Sequence, residues 1–230
     1  KGGVEIGGDA GKNEIKGIAS SSAILAGSGS VVSASINSVI GGGIHNTIGT
    51  STTSTIFGGS NNILDDGTVV NVVAGNFNQI TSSTNALIGG GEWNYVSESD
   101  NAAITTGDRN EIIASNKANI GGGAQNTIEG SVDALIGGGT LNSITASTNA
   151  TIAGGYANDI WSAPRSSIAG GTQNQILDDA TLTGYVWNFI GGGKTNKISA
   201  SAKSTIGGGN SNYIDTCTQT SIVGGDLNVV

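Results

Sequence analysis

Cysteine, proline, methionine and aromatic residues are scarce in this chain of 230 residues. It contains one Cys, one Pro and no Met, while aromatic residues make up 4% and charged residues 11%. The single Cys217 excludes an internal disulfide framework and a metal site built from several cysteines, and we expect no cofactor. So few bulky side chains cannot fill a conventional globular core of this size. Stability must therefore come from regular backbone pairing and stacking.

Positive charge and long apolar runs are also lacking. Lys and Arg number 9 against 17 Asp and Glu, which gives a formal net charge of −8. Nucleic acids and anionic membrane surfaces repel such a chain. No apolar run reaches the length that spans a bilayer. We therefore expect no nucleic-acid partner and no membrane insertion within this segment.

The chain does contain a repeat of sixteen residues. An aliphatic residue, which we call the first aliphatic, recurs at this interval, and the interval is lengthened once by six residues. A Gly follows three places after it, and a second aliphatic residue usually follows eight places after it. So many units in phase indicate a repeat architecture. The first aliphatics are Ile24, Ile40, Ile56, Val72, Ile88, Ile104, Ile120, Ile136, Ile152, Ile168, Ile190, Ile206 and Ile222.

An asparagine stands six places after the first aliphatic in every in-phase unit except one, where Ser30 replaces it. A buried amide is costly unless its hydrogen bonds are made. We therefore predict an internal ladder in which each side-chain amide bonds its equivalents in the coils above and below. The predicted ladder comprises Asn46, Asn62, Asn78, Asn94, Asn110, Asn126, Asn142, Asn158, Asn174, Asn196, Asn212 and Asn228.

Apolar and variable residues alternate around both aliphatic positions, and this alternation is typical of β-strands. One unit cannot bury its own aliphatic pair, but stacked units can. The predicted fold is all-β, a parallel β-solenoid of about 13–14 coils with sixteen residues and two short strands per coil. We predict a single domain over residues 1–230, with in-phase repeats over 24–230, an irregular first coil over 1–23 and a six-residue insertion within 177–189. Gly139 and its equivalents are predicted to form a turn with positive φ.

The residues directly before and after the first aliphatic carry no charge in any in-phase unit. The corresponding residues around the second aliphatic include Glu111, Asp159 and Lys197. One sheet face is thus predicted to be flat and neutral, whereas the other is polar and varied. An uncharged stripe of that extent is larger than monomers usually expose. We predict that it packs against copies of the same chain in a cyclic oligomer.

The recurrent motif, seen from Ser204 to Ile214, resembles the head repeats of YadA-type trimeric autotransporter adhesins, and related units occur in trimeric phage tail fibres and tailspikes. The resemblance covers the chain from about Ile24 to Val230. It implies a left-handed β-roll, a homotrimer, and an extracellular location on a cell surface or virion, where the chain attaches to a host glycan or protein receptor. Coils of sixteen residues are longer than is usual in the adhesin heads, which leaves bacterial adhesin and viral fibre both open.

Sequence motifs for catalysis are weak. Gly193, Lys194 and Thr195 match the end of a phosphate-binding loop, but Asn188 stands where that loop needs its first Gly. His45 has no acid or nucleophile at a recognisable spacing, and the acids are scattered rather than paired in a cleft. We expect neither an enzyme nor a metal site. A monomeric solenoid that binds ice or a polysaccharide stays as a third alternative, and it predicts a regular array of Thr on the flat face.

The predicted ligand-binding residues are aromatic. Tyr185, Trp187 and Phe189 lie in or beside the insertion, and Trp93 and Trp161 are placed on turns. Loops that project from a rigid scaffold often carry recognition, and aromatic side chains suit carbohydrate or protein contacts. The competing interpretation is that the aromatic residues of the insertion form a plug, packed on the solenoid or between subunits.

Overall fold

The computed structural model describes residues 4–5, 12–17, 19–178 and 186–230. The chain divides into two compact units, Lys1–Ile113 and Ala114–Val230. Within the described residues every regular element is a short β-strand, and this confirms the predicted all-β class. No helix in these ranges is long and apolar enough to cross a membrane.

The first unit contains two parallel sheets. The first sheet holds the strand around each first aliphatic, and the second sheet holds the strand around each second aliphatic. The first-sheet strands are Val4–Glu5, Ala23–Ile24, Val39–Ile40, Thr55–Ile56, Asn71–Val72, Leu87–Ile88 and Ala103–Ile104. The second-sheet strands are Glu14–Lys16, Val31–Ser33, Thr47–Ile48, Ile63–Asp65, Gln79–Thr81, Tyr95–Ser97 and Glu111–Ile113.

The second unit, by itself, has the same two types of strand in two parallel sheets. Its first-sheet strands are Asn119–Ile120, Leu135–Ile136, Thr151–Ile152, Ser167–Ile168, Phe189–Ile190, Thr205–Ile206 and Ser221–Ile222. Its second-sheet strands are Thr127–Glu129, Ser143–Thr145, Asp159–Trp161, Gln175–Leu177, Lys197–Ser199 and Tyr213–Asp215. The two strand types alternate along the chain, so each coil contributes one strand to each sheet.

Residues sixteen apart pair on neighbouring strands. Ile24 pairs with Ile40 in the first unit, and Ile136 pairs with both Ile120 and Ile152 in the second. All these pairings are parallel, so the chain returns to an equivalent position after each coil. Each unit is therefore a parallel β-solenoid with coils of sixteen residues, as the repeat predicts.

The register departs from sixteen at three places. Val4 pairs with Ala23, nineteen positions further along. The sequence also marks the other two places. Ile15 pairs with Val32, one position further along than the repeat would give. Ile168 pairs with Ile190, so six additional residues are accommodated between these strands. Pairing in the second sheet continues across the same interval, because residues 175–177 pair with residues 197–199. The longer connection leaves both sheets in register.

Most coils turn at four corners where the backbone has positive φ. In one coil these are Gly139 (φ 92), Leu141 (φ 59), Ala146 (φ 50) and Asn149 (φ 58). A Cβ at Gly139 would lie 2.2 Å from the carbonyl oxygen of Gly155 in the next coil, so this corner requires glycine. The other three corners lie in the left-handed region that L-residues tolerate at some cost. Hydrogen bonds between successive coils hold them there, for example Leu141 N to Ala124 O at 3.0 Å.

The core of each unit is two columns of aliphatic side chains. Ile136 of the first sheet and Ile144 of the second are both fully buried, and so are their equivalents in the other central coils. Burying one such side chain contributes roughly 1.5–3 kcal/mol. Small residues also contribute to the interior. The recurrent serines that follow the corner of Ala146 and its equivalents are buried. Ser131 Oγ donates to Glu129 O at 2.9 Å and accepts from Ser147 N at 2.9 Å.

Candidate functional site

The asparagines form a continuous hydrogen-bonded column inside each unit. Asn142 Nδ2 lies 3.1 Å from Asn126 Oδ1, 3.0 Å from Gly138 O and 3.1 Å from Gly155 O. Its Oδ1 accepts from both Asn158 N and Asn158 Nδ2 at 3.1 Å. The column therefore joins each coil to the next and braces the glycine corner. Its amides are occupied by these internal bonds, which gives them a structural role and leaves ligand binding to other residues.

The outward face of the first sheet is uncharged in the first unit. Several of its side chains are large, apolar and exposed, and Phe57 is the most open of them at 63%. The others are Leu25, Val73 and Leu87. A patch of this kind on a soluble domain usually marks a contact with another molecule. We call this surface the neutral face of the first unit.

The second unit has a neutral face of its own. Leu135, Phe189 and Val223 are its large exposed side chains, and Gly and Ala lie between them. Glycine keeps parts of this surface flat: a Cβ on Gly137 would lie 2.4 Å from the carbonyl oxygen of Ala153. The ring of Phe189 extends over Gly191, since a Cβ there would meet the ring at 3.5 Å. Charged side chains are confined to the other positions of each coil.

Trp93 stacks on Phe77 in the adjacent coil, at the corner that Leu141 occupies in its own coil. Their ring centroids are 4.1 Å apart and their planes are inclined by 2°. Both residues have positive φ and both are exposed, and the corner position of Trp93 agrees with its predicted placement on a turn. Each ring covers one face of the other, so the pair presents less free ring surface than two isolated aromatic residues would. The stack stabilises the corner, because aligned aromatic pairs contribute about 0.5–1.5 kcal/mol beyond their burial.

The predicted placement of Trp161 on a turn is wrong. Trp161 is the last residue of the strand Asp159–Trp161 and pairs with Thr145 and Leu177. The side chain is 45% exposed on the outward side of the second sheet. Trp161 therefore lies apart from the neutral face, which belongs to the first sheet.

The aromatic residues beside the insertion occupy different elements. Trp187 is a corner residue with φ 50 and is 56% exposed. Phe189 belongs to the strand Phe189–Ile190 and adds to the neutral face. Tyr185, the third predicted member, lies outside the described residues. The structure thus assigns Trp187 and Phe189 to separate surfaces, although they are two positions apart in the chain.

The corner that Trp187 occupies carries a cationic residue in the preceding coil and another in the following coil. The sequence patterns did not indicate either of them. Arg165 and Lys203 stand three places before Ile168 and Ile206, as Trp187 stands three places before Ile190. Arg165 and Lys203 have φ of 61° and 56° and are exposed. Their shared position can be found in the sequence by counting the sixteen-residue repeat and adding the six extra residues before Ile190.

Salt bridges and a cation–π contact lie on the surface of the coils. Within the described residues the salt bridges are Lys16 with Glu14, and Arg109 with Asp108 at 2.7 Å. Lys197 Nζ lies 5.5 Å from the centre of the Tyr213 ring, within the range of a cation–π contact. Burial raises the pKa of Asp159 above its ordinary value of 3.8, and a hydrogen bond with Ser143 partly opposes this.

No group of three or more His, Cys, Asp and Glu side chains in the described ranges is arranged to hold a metal ion. Cys217 sits at the corner that serine occupies in other coils. Its backbone N donates to Ser201 Oγ at 3.0 Å, and its Sγ lies 3.0 Å from Asp215 O. The thiol therefore continues the serine column of neighbouring coils.

The chain matches no protein-family model, and no curated protein is significantly similar to it.

Proposed function

We propose that the chain is a segment of a structural and adhesive fibre, extracellular on a cell surface or virion, that attaches to a host glycan or protein receptor. In this proposal three copies associate through their neutral faces, each chain follows a left-handed β-roll, and none has enzymatic activity. A bacterial adhesin and the shaft of a phage tail fibre or tailspike are both covered by this function. The resemblance of the sixteen-residue repeat to such fibres motivates the proposal.

The observation that carries the proposal is the neutral face in each unit. Its exposed apolar side chains, of which Phe57 and Leu135 are examples, gain free energy when they leave water, at about 25 cal/mol per Å². The absence of charge on this surface removes the repulsion and desolvation cost that identical subunits would otherwise meet on association. The glycines on the same surface allow close approach of a partner backbone.

The molecular mass in solution tests this assembly. We expect light scattering coupled to size-exclusion chromatography to give three times the chain mass of 22.6 kDa. Leu135→Lys places a charge on the neutral face and is expected to shift the mass toward that of one chain. Leu141→Lys is the matched control, because Leu141 is exposed to nearly the same extent, 43% against 42%, but lies at a corner. A monomeric wild-type chain, or equal dissociation of both variants, would contradict the proposal.

A further inference from the structure

Tyr95 lies across the outward side of the second sheet in the first unit. In its strand, Tyr95–Ser97, the central Val96 is fully buried, so both end residues point outward. The hydroxyl oxygen of Tyr95 lies 3.3 Å from Thr81 Oγ1 on the preceding strand, two places beyond the residue that pairs with Tyr95. A ring standing upright on the sheet could not reach this hydroxyl group, which is close to the backbone. The ring therefore leans over the neighbouring strand, with one face toward the sheet and the other toward solvent.

The hydroxyl groups around Tyr95 hold the ring in this orientation. Thr81 Oγ1, which contacts the Tyr95 hydroxyl, donates to Ser97 Oγ at 3.1 Å. Ser97 points to the same side of the sheet as Tyr95 but is only 7% exposed, as expected beside a ring that leans across the strands. A side chain that is already held in place loses less entropy when a ligand binds to it.

Tyr213 in the second unit adopts the same orientation. It makes the equivalent side-chain hydrogen bond, to Ser199, which stands two places beyond the paired residue Lys197. Lys197 Nζ lies over the Tyr213 ring, 5.5 Å from its centre, so a cation already occupies a face of this ring. Tyr95 pairs with Gln79 at the corresponding place, and within the described residues no cation lies over its ring. The outer ring face is therefore available at Tyr95.

Hydrogen-bonding side chains stand on both sides of Tyr95. Gln79 precedes it and Glu111 follows it, in register on the adjacent strands and about 4.8 Å away. The amide of Gln79 both donates and accepts hydrogen bonds, and the carboxylate of Glu111 accepts them. An aromatic face between such groups suits a ligand with an apolar face and a polar rim.

Charge on this side of the first unit disfavours an anionic ligand. Among the outward residues of the second-sheet strands between residues 31 and 113, the charged ones are Asp65 and Glu111, both acidic. The carboxylate of Asp65 already accepts from Thr50 N at 3.0 Å and from Thr50 Oγ1 at 2.9 Å. One exposed ion pair with Glu111 would add little to the binding of a cation, and the donors of Gln79 would find no acceptor on it. The surroundings therefore favour a neutral ligand that both donates and accepts.

We propose that Tyr95 binds a neutral pyranose, with the C–H face of the sugar on the outer face of the phenol ring and the sugar hydroxyls on Gln79 and Glu111. This rests on the proposed function in attachment and specifies the receptor as a glycan. The site lies across the aliphatic core from the neutral face, because Ile88 of the first sheet and Val96 of the second are both buried. It therefore stays open when neutral faces associate, and it uses residues of a single chain.

Calorimetric titration of the full chain with cellohexaose, a neutral hexamer of β-1,4-linked glucose, tests this site. We expect binding that changes little as salt is raised, because the ligand carries no charge. Tyr95→Ala is expected to weaken binding about tenfold. Tyr95→Phe keeps the ring and loses only the hydrogen bond to Thr81, so we expect a loss of about threefold or less. Gln79→Ala combined with Glu111→Ala removes both hydrogen-bonding flanks and is expected to weaken binding about tenfold.

Two other tyrosines provide matched controls. Tyr213 has the same orientation as Tyr95, but Lys197 occupies a face of its ring. Tyr156 is 48% exposed and lies outside the strands of both sheets. Tyr213→Ala and Tyr156→Ala are both expected to bind cellohexaose like the wild-type chain. Equal loss in these variants and in Tyr95→Ala would overturn the site, and circular dichroism of every variant establishes that the solenoid is folded.

Three further ligands test the chemistry of the site. A hexamer of β-2,1-linked fructose is neutral but lacks the broad C–H face of a pyranose, and a hexamer of galacturonate is repelled by Glu111. Both are expected to bind far more weakly than cellohexaose. Hexalysine is expected to bind the wild-type chain and Tyr95→Ala equally. If any of the three bound as strongly as cellohexaose and lost this binding in Tyr95→Ala, the assignment to a neutral pyranose would be wrong.

The molecular mass measured on the same samples separates this inference from the proposed function. A trimer that does not bind cellohexaose would refute the glycan site and leave attachment to a different receptor. A monomer that binds cellohexaose through Tyr95 would refute the assembly and retain the site. A monomer that binds none of these saccharides would refute both.

Discussion

Truncating one asparagine of the internal column tests the physical basis of the fold most directly. Asn142→Ala removes the carbonyl oxygen that accepts hydrogen bonds from Asn158 N and Nδ2. Asn158 Nδ2 keeps its bonds to Gly154 O at 3.0 Å and Gly171 O at 3.1 Å. The backbone N–H of Asn158 loses its acceptor and stays fully buried.

The expected cost follows from that one orphaned donor. A buried polar group without a partner costs about 1–3 kcal/mol. The amide of Asn142 also ceases to brace the carbonyl groups of Gly138 and Gly155 at the glycine corner. We therefore expect Asn142→Ala to lower the free energy of unfolding of its coil by about 2–4 kcal/mol.

Serine at the same position is the matched variant, because the chain already contains it. Ser30 occupies the ladder position in its coil, and its Oγ accepts from Asn46 N at 3.2 Å. Asn142→Ser keeps an acceptor for Asn158 N, so we expect it to recover about 1–2 kcal/mol of the loss caused by alanine.

Hydrogen exchange at the Asn158 amide measures this locally, alongside urea denaturation of both variants. A local probe is needed because repeat arrays do not always unfold as one unit. We expect Asn158 protection to fall strongly in the alanine variant and to be largely kept in the serine variant. Equal protection in both, or a loss below about 1 kcal/mol for alanine, would refute the hydrogen-bond reasoning.

Other predictions concern the corner, the core and pH. Gly139→Ala should cost about 3 kcal/mol or more, because its Cβ would meet a backbone oxygen of Gly155. Gly138→Ala meets its nearest atom at 3.9 Å and should cost less than about 1 kcal/mol; similar urea midpoints for the two would contradict the steric argument. Ile144→Ala should lower the free energy of unfolding by about 2–5 kcal/mol, and a loss under about 1 kcal/mol would place this side chain outside the core. The raised pKa of Asp159 means that its carboxylate is less favourable in the folded chain than in the unfolded one. The contribution of Asp159 to the free energy of unfolding is therefore fully present below about pH 3.8 and is lost as the pH rises through the folded pKa. The variant Asp159→Asn should be more stable than the wild-type chain at pH 7 but not at pH 3. Urea midpoints at the two pH values check this, and an unchanged difference would refute it.

The repeat spacing was sufficient to predict which residues stack. Ile24, Ile40 and their equivalents pair in register because a coil of constant length returns each position to the same place. The one-residue slip at Ile15 was equally visible, because its aliphatic and asparagine pattern is displaced by one place. Stacking of identical positions is a one-dimensional property, and a linear sequence records it directly.

The corners could be predicted only in part. Gly139 and its equivalents indicate a positive φ in the sequence, because a side chain with a Cβ does not fit there. Leu141, Ala146 and Asn149 carry the same sign of φ without any common side chain. Their conformation is imposed by hydrogen bonds to neighbouring coils, and a local propensity does not report such bonds. Trp161, predicted on a turn, is the last residue of a strand and directly precedes the corner residue Ser162.

The sequence by itself determined the all-β class, the coil length and the identity of the buried columns, because period and polarity alone specify which side chains must leave water together. Only the tertiary structure decided which exposed residues share a surface. Phe189 belongs to the neutral face, whereas Trp187 lies at a corner between Arg165 and Lys203. The left-handed corner turns neighbouring residues of the chain toward different surfaces. The coil brings residues that are distant in the chain to equivalent positions.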